Sequence, residues 1–194
     1  MKVFLINGGA KFGHSGGELN KSLHELAEKT LRGMGHETLS TTIEAGYELG
    51  EEVEKFMAMD AVIWQMPGWW MGEPWSVKKY IDEVFMAGHN KMWKDDGRSR
   101  AIDPSIGYGT GGLLGGKKRM LSLTWNAPLR AFDDPTQFFG GVGVDGVYLH
   151  FHKLNEFVGI SEQLPTFILN DVIKAPDVPR YFSEYEAHLR RVFA

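Results

Sequence analysis

The sequence predicts an α/β fold in which helices cover both faces of a parallel β-sheet. Three observations predict this class. Five short apolar or alternating runs suit strands, segments of helical periodicity separate them, and turns rich in glycine join strands to the helices that follow. Strands that alternate with helices imply right-handed βαβ crossovers, and therefore a three-layer sandwich. We expect a five-stranded parallel sheet with the strand order 2-1-3-4-5.

The first third of the chain predicts two strands and two helices. The continuous apolar run at 3–6 suits a central strand that is buried on both faces. Residues 15–18, Ser-Gly-Gly-Glu, have the spacing of a capping box and precede a helical pattern that extends to Met34. The alternating, threonine-rich residues 37–43 predict an edge strand, and residues 51–59 predict a short acidic helix.

A tryptophan-rich segment follows the third predicted strand, at 61–64. Residues 64–75 contain four of the six tryptophans, and a helical pattern from Val77 to Phe85 follows them. The segment is therefore a strand-to-helix connection, which in a parallel sheet lies at the carboxyl ends of the strands, where ligands bind. Indole rings beside Gly and Pro turns suit a flat, conjugated ligand, so we expect the edge of a flavin here.

The second half of the chain begins with an irregular segment and then returns to the α/β pattern. Residues 90–116 lack periodicity and contain many glycines, which leaves two interpretations: a mobile linker, or an ordered flap beside the site. We expect the fourth strand at 120–123, a helix at 144–155, the fifth strand at 166–169, and a final helix that begins near Pro179.

Composition excludes several classes of function. The formal net charge is -4 with both signs interspersed, which disfavours nucleic acid and anionic membranes as partners. Cysteine is absent, which excludes disulfides, thiolate zinc sites and a cysteine nucleophile. The chain passes directly into a strand and contains no long apolar run, so we expect one domain over 1–194, a cytoplasmic location and no membrane span.

Three strand ends converge on one ligand if the sheet has the flavodoxin-like order, because strands one, three and four are then neighbours. The helix that begins after Ser15 favours an anion such as a phosphate at its N-terminus, although an ordinary helix cap would have the same sequence. The backbone N–H groups of Trp69 and Trp70 suit the polar edge of an isoalloxazine, with a buried aromatic cluster as the alternative. Residues 124–127 would contact the other side of the ring or its dimethylbenzene end, where Asn126 would supply an amide, and a simple strand-to-loop turn is the alternative.

Reduction of a bound flavin by a nicotinamide, followed by reduction of a quinone, needs no side-chain nucleophile. The protein has to hold developing negative charge with N–H dipoles and leave one face of the flavin open. Candidate proton donors to a quinone oxygen are Tyr108, Tyr148, His150 and His152. The seven histidines form no metal-binding motif, so we expect no metal.

Long motifs in this chain resemble the modulator of drug activity B family of bacterial NADPH:quinone oxidoreductases. The matching segments cover nearly the whole chain: 6–8, 14–15, 62–72, 117–118, 121–128, 143–148, 165–168 and 170–174. The resemblance implies a flavodoxin-like fold, bound FAD, NAD(P)H and quinone substrates, and a homodimer with the active site near the subunit interface.

The resemblance also implies which residues contact FAD. The contacts to the phosphates and the adenosine half are Ser15, Gly16, Gly17, Glu18, Leu19, Asn20, Lys21 and Ser22. The contacts to the isoalloxazine are Pro67, Gly68, Trp69 and Trp70. The fourth strand end adds Thr124, Trp125, Asn126 and Ala127, and the flap adds Tyr108. Tyr108 would act within its own subunit or across the dimer. The resemblance favours an ordered flap over a mobile linker.

Our hypothesis from the sequence is an FAD-dependent NAD(P)H:quinone reductase that works by a ping-pong mechanism. One alternative is an FMN-binding flavodoxin that carries electrons. A phosphoacceptor module of the response-regulator type is disfavoured, because Trp64-Gln65 and Leu169-Asn170 occupy the positions where it needs a carboxylate and a lysine. No arginine is placed to select NADPH over NADH.

Overall fold

The computed structural model describes all residues from Met1 to Ala194. Its strands are β1 (Lys2–Asn7), β2 (Glu37–Thr42), β3 (Ala61–Pro67), β4 (Lys118–Thr124), β5 (Glu162–Gln163) and β6 (Phe167–Leu169). Its helices are α1 (Glu18–Gly33), α2 (Leu49–Ala58), α3 (Trp75–Ala87), α4 (Arg130–Asp133), α5 (Gly143–Val147), α6 (Leu149–Phe157) and α7 (Val178–Val192), and a 3₁₀ turn spans Ile43–Ala45. No helix has both the length and the apolar character that a membrane crossing requires.

The sheet has the order β2-β1-β3-β4-β5, and every strand pair is parallel. The predicted flavodoxin-like order 2-1-3-4-5 is therefore confirmed. β1 and β3 lie at the centre, and all residues of β3 are buried, as expected for a strand that is covered on both faces. The carboxyl ends of β1, β3 and β4 are consequently neighbours at one edge of the sheet.

The fifth strand position differs from the prediction of one segment at 166–169. Two short strands, β5 and β6, both pair with β4, the first near its start and the second near its end. Pro165 lies between them and has no N–H to donate to the ladder. The Leu164 N–H still donates to the Arg119 carbonyl oxygen at 2.8 Å, so the chain leaves the ladder only around the proline.

Two hydrophobic cores lie on opposite faces of the sheet. Side chains alternate along each strand, so that Phe4 and Trp64 belong to one core while Val3 and Ile63 belong to the other. The first core packs against α2, α3 and α6, and the second against α1 and α7. This arrangement is the predicted three-layer sandwich.

The helices differ from the predictions at two points. α1 is not capped by a Ser15–Glu18 capping box, because its N-cap is Gly17 in a left-handed conformation (φ 84°) without a side-chain cap. The helix predicted at 144–155 is interrupted at Tyr148, which separates α5 from α6. Gly143 and Gly146 weaken the first of these helices, because glycine is a poor helix former.

The segment 90–116 is a hydrogen-bonded flap. The Lys94 N–H donates to the Gly111 carbonyl oxygen at 2.9 Å, and the Leu113 N–H donates to the Met92 carbonyl oxygen at 2.8 Å. Gly97 has a φ of 85° and packs directly against the backbone of Gly107, which leaves no space for a side chain. Of the two interpretations of the sequence, the structure therefore has the ordered flap.

Candidate functional site

The turns that follow β1, β3 and β4 are joined by backbone hydrogen bonds. The Gly8 N–H donates to the Gln65 carbonyl oxygen at 2.8 Å, which links the first turn to β3. The Gly68 N–H donates to the Thr124 carbonyl oxygen at 2.9 Å, which links the turn after β3 to β4. The three predicted loop segments therefore come together at the carboxyl edge of the sheet.

A buried network of neutral side chains joins α1, β3 and β4 beneath these turns. The Ser122 hydroxyl donates to Gln65 Oε1 at 2.7 Å, and the Gln65 amide donates to Asn20 Oδ1 at 2.9 Å. The Asn20 amide in turn donates to the Thr124 hydroxyl at 3.0 Å. Each of these residues is at most 5% exposed, so the network fixes the start of α1 against the ends of β3 and β4.

The start of α1 presents free backbone amides. The Lys21 N–H is the first to donate within the helix, to the Gly17 carbonyl oxygen at 3.1 Å, so the N–H groups of Glu18, Leu19 and Asn20 have no intrahelical acceptor. Ser15 and Gly16 are exposed just ahead of them. The Glu18 carboxylate folds back over Gly16, where an added Cβ would lie 2.2 Å from its oxygens. Glu18 therefore places a negative charge in the first turn of α1, where the helix dipole favours it.

The segment after β3 is a strained tight turn. Trp69 and Gly72 exchange both backbone hydrogen bonds, at 2.9 and 3.1 Å. Between them Trp70 and Met71 both have positive φ, 45° and 72°, which defines a type I′ turn. Residues other than glycine in this region cost about 1–3 kcal/mol each, and such strain is concentrated at functional sites. The turn projects Trp70 into solvent, where it is 89% exposed.

The two tryptophans of this turn have different environments. The Trp69 ring packs on Phe12 of the first loop at 4.6 Å between centroids. Its backbone N–H is already paired with the Gly72 carbonyl oxygen, so the expectation that this amide meets a ring edge has to be corrected. Trp70 is at the first central position of the turn, where the amide is not used by the turn itself. A role for the Trp70 amide stays a prediction.

Gly68 lies directly on the indole of Trp125. A Cβ at Gly68 would be 1.9 Å from Trp125 Cε2, so no side chain fits there. The indole itself is only 5% exposed, and its Nε1 donates to the Tyr148 hydroxyl at 3.2 Å. Trp125 and Thr124 thus form the floor of the candidate site, and their side chains face away from solvent.

The exposed part of the third loop begins at Asn126. Its side-chain oxygen accepts from the N–H groups of Ile173 and Lys174 at 3.3 and 3.2 Å. The carbonyl oxygen of Ala127 accepts from the Asn170 amide at 2.9 Å. The loop after β4 is therefore held by the loop after β6, and Asn126 Nδ2 is the group left to contact a ligand.

Tyr108 of the flap is not near these loops. It is 70% exposed, and its ring lies 5.7 Å from that of Phe157 and 5.6 Å from the Arg98 guanidinium. Phe157 ends α6, whereas His150 near the start of that helix contacts the turn after β3. These positions are about 10 Å apart along the helix at 1.5 Å per residue. Of the predicted cofactor contacts, only Tyr108 is separated from the others.

Two of the candidate proton donors are buried. Burial raises the pKa of Tyr148 well above its usual range, and its hydroxyl donates to the Gly72 carbonyl oxygen at 3.4 Å. Both ring nitrogens of His152 are occupied: Arg119 Nε donates to Nδ1 at 3.2 Å, and Nε2 pairs with Asp145 Oδ1 at 3.1 Å. Neither side chain is accessible to a visiting quinone.

His150 is the remaining candidate beside the turn. Its side chain is 51% exposed, and Nε2 lies 2.7 Å from a carboxylate oxygen of Glu73, whose own side chain is only 8% exposed. Glu73 was not predicted from the sequence, because an acidic residue in a turn is normally solvated. Gln65 and Ser122 were not predicted either, although polar residues inside apolar strands are the signal that identifies them. No group of three or more acidic or histidine side chains is placed to hold a metal ion.

Comparison with known proteins gives a family and relatives of full length. Residues 1–191 match a family model described as flavodoxin-like fold. The chain is 58% identical over 193 residues to a Haemophilus influenzae protein named NADPH:quinone oxidoreductase MdaB, and the match covers 100% of both chains. An uncharacterized protein of Schizosaccharomyces pombe is 49% identical over 193 residues, which are 100% of this chain and 97% of that protein.

Solved structures show the same fold at low sequence identity. A Klebsiella pneumoniae structure has a TM-score of 0.75 at 24% identity and covers 98% of this chain and 83% of that chain. An NAD(P)H:quinone oxidoreductase from Methanothermobacter marburgensis has a TM-score of 0.64 at 14% identity, with 100% and 96% covered. A general stress protein 14 from Treponema denticola, solved with FMN, has a TM-score of 0.65 at 18% identity, with 98% of each chain covered.

Proposed function

This chain belongs to the flavodoxin-like fold family, and from that membership we propose that it is an FAD-dependent NAD(P)H:quinone oxidoreductase. The enzyme class follows from the relative of 58% identity that carries the name NADPH:quinone oxidoreductase over the same length. FAD as the flavin, the ping-pong order and the homodimer are our additions. The observation that carries the proposal is the convergence of the turns after β1, β3 and β4 at one edge of the sheet.

The residues present fit a flavin nucleotide. The free amides at the start of α1 suit its phosphates, because a helix N-terminus favours an anionic oxygen. The turn after β3 supplies an exposed indole at Trp70, and Gly68 with Asn126 supplies surface from the neighbouring loops. A bound flavin would provide the two-electron carrier that none of the side chains can provide.

FAD rather than FMN is supported by additional space on the face of the sheet that carries α1. A cavity of about 420 Å³ lies between α7, the end of β6 and the loop that follows β4, with Asn170 and Arg180 in its lining. α7 and α1 belong to the same core, so this cavity lies on the same face as the α1 amides. FMN has no adenosine to fill such a space, whereas FAD does. Acid extraction of the bound flavin followed by chromatography separates this proposal from the FMN-binding electron carrier.

An arrangement with one open side supports the proposed ping-pong order. Trp125 and Thr124 close the floor of the site, while Trp70 is exposed above it. A nicotinamide nucleotide would deliver its hydride from the open side and leave, and a quinone would then enter the same space. His150, held at Nε2 by Glu73, is the side chain placed to give a proton to the quinone oxygen from Nδ1.

The homodimer is supported by the position of Tyr108. An apolar groove of about 510 Å³ lies between α3 and α6 and has Phe85, Met86 and Tyr108 in its lining. The flap, which contributes Tyr108 to this groove, also exposes Ile102 by 86% and Ile106 by 62%. A second copy that covers this face would give Tyr108 access to a flavin that its own subunit does not offer. Light scattering of the purified protein measures the mass directly, and a monomer at micromolar concentration would contradict the proposal.

The central experiment is an optical titration of protein loaded with FAD. We expect NADPH to bleach the flavin absorbance and a benzoquinone to restore it, through cycles without loss of protein. Trp70→Ala should weaken FAD binding, whereas Phe138→Ala should not, because Phe138 is 77% exposed but lies outside the three loops. Absorbance that NADPH never bleaches would refute the enzyme. The cytoplasmic location expected from the sequence stays a proposal that cell fractionation tests.

A further inference from the structure

A second cavity lies beside the turn after β3, on the face of the sheet opposite α1. It measures about 320 Å³ and is bounded by the loops that follow β1, β2 and β3. Phe12 and Trp69, whose ring centroids lie 4.6 Å apart with the ring planes tilted by 34°, form part of its wall. Trp69 also begins the turn that carries Trp70, so the cavity opens next to the site proposed for the flavin ring.

The lining combines flat aromatic surfaces with two cations. Trp75 is 68% exposed and Phe12 is 49% exposed, although both border the cavity. Lys11 and Lys79 lie in the same lining. The Lys11 ammonium makes no ion pair within the chain, and Lys79 Nζ has only a long contact of 3.6 Å to Glu83. Both lysines are therefore free to turn toward an anion.

Polar groups of the cavity add to this pattern. The Ser76 hydroxyl oxygen is buried and has no hydrogen-bond partner in the chain, although it lies in the lining. The cavity also contains one carboxylate, Glu44, but one of its oxygens accepts from the Lys11 backbone N–H at 3.0 Å. An unpaired buried hydroxyl is costly unless a ligand or water completes it.

We propose that this cavity binds the phosphorylated adenosine end of NADPH, with the 2′-phosphate held by Lys11 and Lys79. The inference rests on the proposed function, in which a nicotinamide approaches the flavin site beside Trp70. Adenine has a π-face that suits Trp75 and Phe12, and the phosphate has the charge that attracts the unpaired Lys11 ammonium and the weakly paired Lys79 ammonium. Selection of NADPH over NADH would then reside in two lysines, with no arginine involved.

The test uses fragments that lack nicotinamide, so it does not depend on turnover. Calorimetry would compare adenosine 2′,5′-bisphosphate with adenosine 5′-monophosphate on the FAD-loaded protein. We expect the wild type to bind the bisphosphate about tenfold more tightly, because a charge-assisted contact to each lysine is gained. Lys11→Gln with Lys79→Gln should abolish that preference, and Lys79→Arg should retain it.

Matched controls separate a local contact from a general charge effect. Lys29→Gln with Lys94→Gln removes two charges from exposed lysines that have no ion pair and lie outside the cavity, and it should leave the preference unchanged. Trp75→Ala should weaken both fragments alike, because it removes the surface for adenine. A preference that survives the loss of Lys11 and Lys79, or that is absent from the wild type, would overturn the inference.

The same samples distinguish this inference from the proposed function. If NADPH bleaches the flavin of the wild type and of the double lysine variant with equal half-saturation, the proposed enzyme activity is retained and the proposed role of the cavity is rejected. If the bisphosphate binds in a lysine-dependent way but NADPH never bleaches the flavin, the proposed role of the cavity is retained and the proposed reductase activity is rejected.

Discussion

β4 carries a buried polar network at each of its ends, and the two networks differ in charge. At the carboxyl end, Ser122 and Thr124 join neutral amides from β3 and α1. At the amino end, Arg119 is only 2% exposed and donates to the Ile160 carbonyl oxygen at 2.6 Å and to Glu156 at 2.9 Å. Side chains anchor both ends of β4, but charged side chains take part only at the amino end.

The difference between the two networks indicates where this fold tolerates buried charge. Arg119 and Thr124 are about 17 Å apart along a strand at about 3.3 Å per residue, so the ionic network is remote from the candidate site. A fixed buried charge near a redox ring would bias its electrostatics permanently. Neutral side chains hold the loops in place, so the electrostatic field at the flavin ring comes from the backbone amides. We infer that the neutral network positions the site and the ionic network stabilises α6 and the strand after it.

The largest effect should come from breaking the ionic network. Arg119→Met leaves the Ile160 carbonyl oxygen and His152 Nδ1 without a donor, whereas Glu156 keeps Lys153, so the free energy of unfolding should fall by about 3 kcal/mol. Urea denaturation measures the change. Arg130→Met is the matched control: its side chain is 74% exposed in a pair with Asp134, and its loss should cost less than about 0.5 kcal/mol. Equal effects of the two substitutions would contradict the distinction.

The next effect concerns the floor of the site above the neutral network. Gly68→Ala places a methyl group 1.9 Å from the Trp125 ring, and the forced shift should cost about 2 kcal/mol of unfolding free energy and weaken FAD binding. Gly50→Ala in α2 is the counterpart, because a Cβ there meets nothing within 4 Å. It should stabilise the protein by about 0.5–1 kcal/mol. A Gly68→Ala protein that binds FAD normally would show that the floor is softer than the structure indicates.

Opening the neutral network itself should have a smaller effect on stability and a clear one on binding. Gln65→Leu leaves the Ser122 hydroxyl without its acceptor and the Asn20 amide oxygen with only a long contact of 3.4 Å to the Thr124 hydroxyl, which should cost about 1–2 kcal/mol. FAD affinity should fall as well, because α1 is no longer fixed against β3. Gln137→Leu, at an exposed position, is the control and should change neither quantity. Loss of stability with unchanged FAD affinity would argue that the network does not position the site.

The smallest effect is a difference in acid sensitivity between the two networks. The hydrogen bond from His152, with a further one from Thr166, lowers the pKa of Asp145 below its usual value of 3.8. A depressed pKa contributes stability above the unfolded-state pKa, and that contribution is lost as the pH falls through the folded-state pKa. Asp145→Asn should therefore flatten the decline of unfolding free energy below about pH 4, by less than about 1 kcal/mol because the carboxylate is half exposed.

The neutral network supplies the control for that measurement. The Gln65→Leu protein should keep the acid dependence of the wild type, because neither Gln65 nor its partners titrate. A flattened profile in that variant would mean that the two ends of β4 are coupled.

Patterns of short range determined which parts of the molecule the sequence could predict. The apolar runs at 3–6 and 61–64 and the alternation in 37–43 predict the strand order, because burial of a strand on one or two faces determines the hydrophobic pattern of consecutive residues. The split of the last strand around Pro165 and the break at Tyr148 were missed, since each depends on contacts with distant segments. The same holds for the left-handed Gly17, which replaced the expected capping box.

The candidate site shows the same limit. The sequence predicts which three loops converge, because the topology brings their strand ends together. It does not predict that the Trp69 amide is already paired, that the Trp125 indole lies beneath Gly68, or that Tyr108 lies at the far end of α6. Those facts depend on tertiary packing, and Glu73 and His150 become a pair only after α6 is placed beside the turn.

The extreme exposure of Trp70 gives the molecule an optical reporter of its own. An indole in water emits at longer wavelength than the buried indoles of Trp64 and Trp125, and a ligand ring stacked against it would quench that red-shifted part of the fluorescence first. Trp75, at the mouth of the second cavity, would respond separately to an adenosine fragment. Single-tryptophan variants would therefore let the filling of the proposed flavin site and of the cavity beside Trp75 be followed separately and without a label.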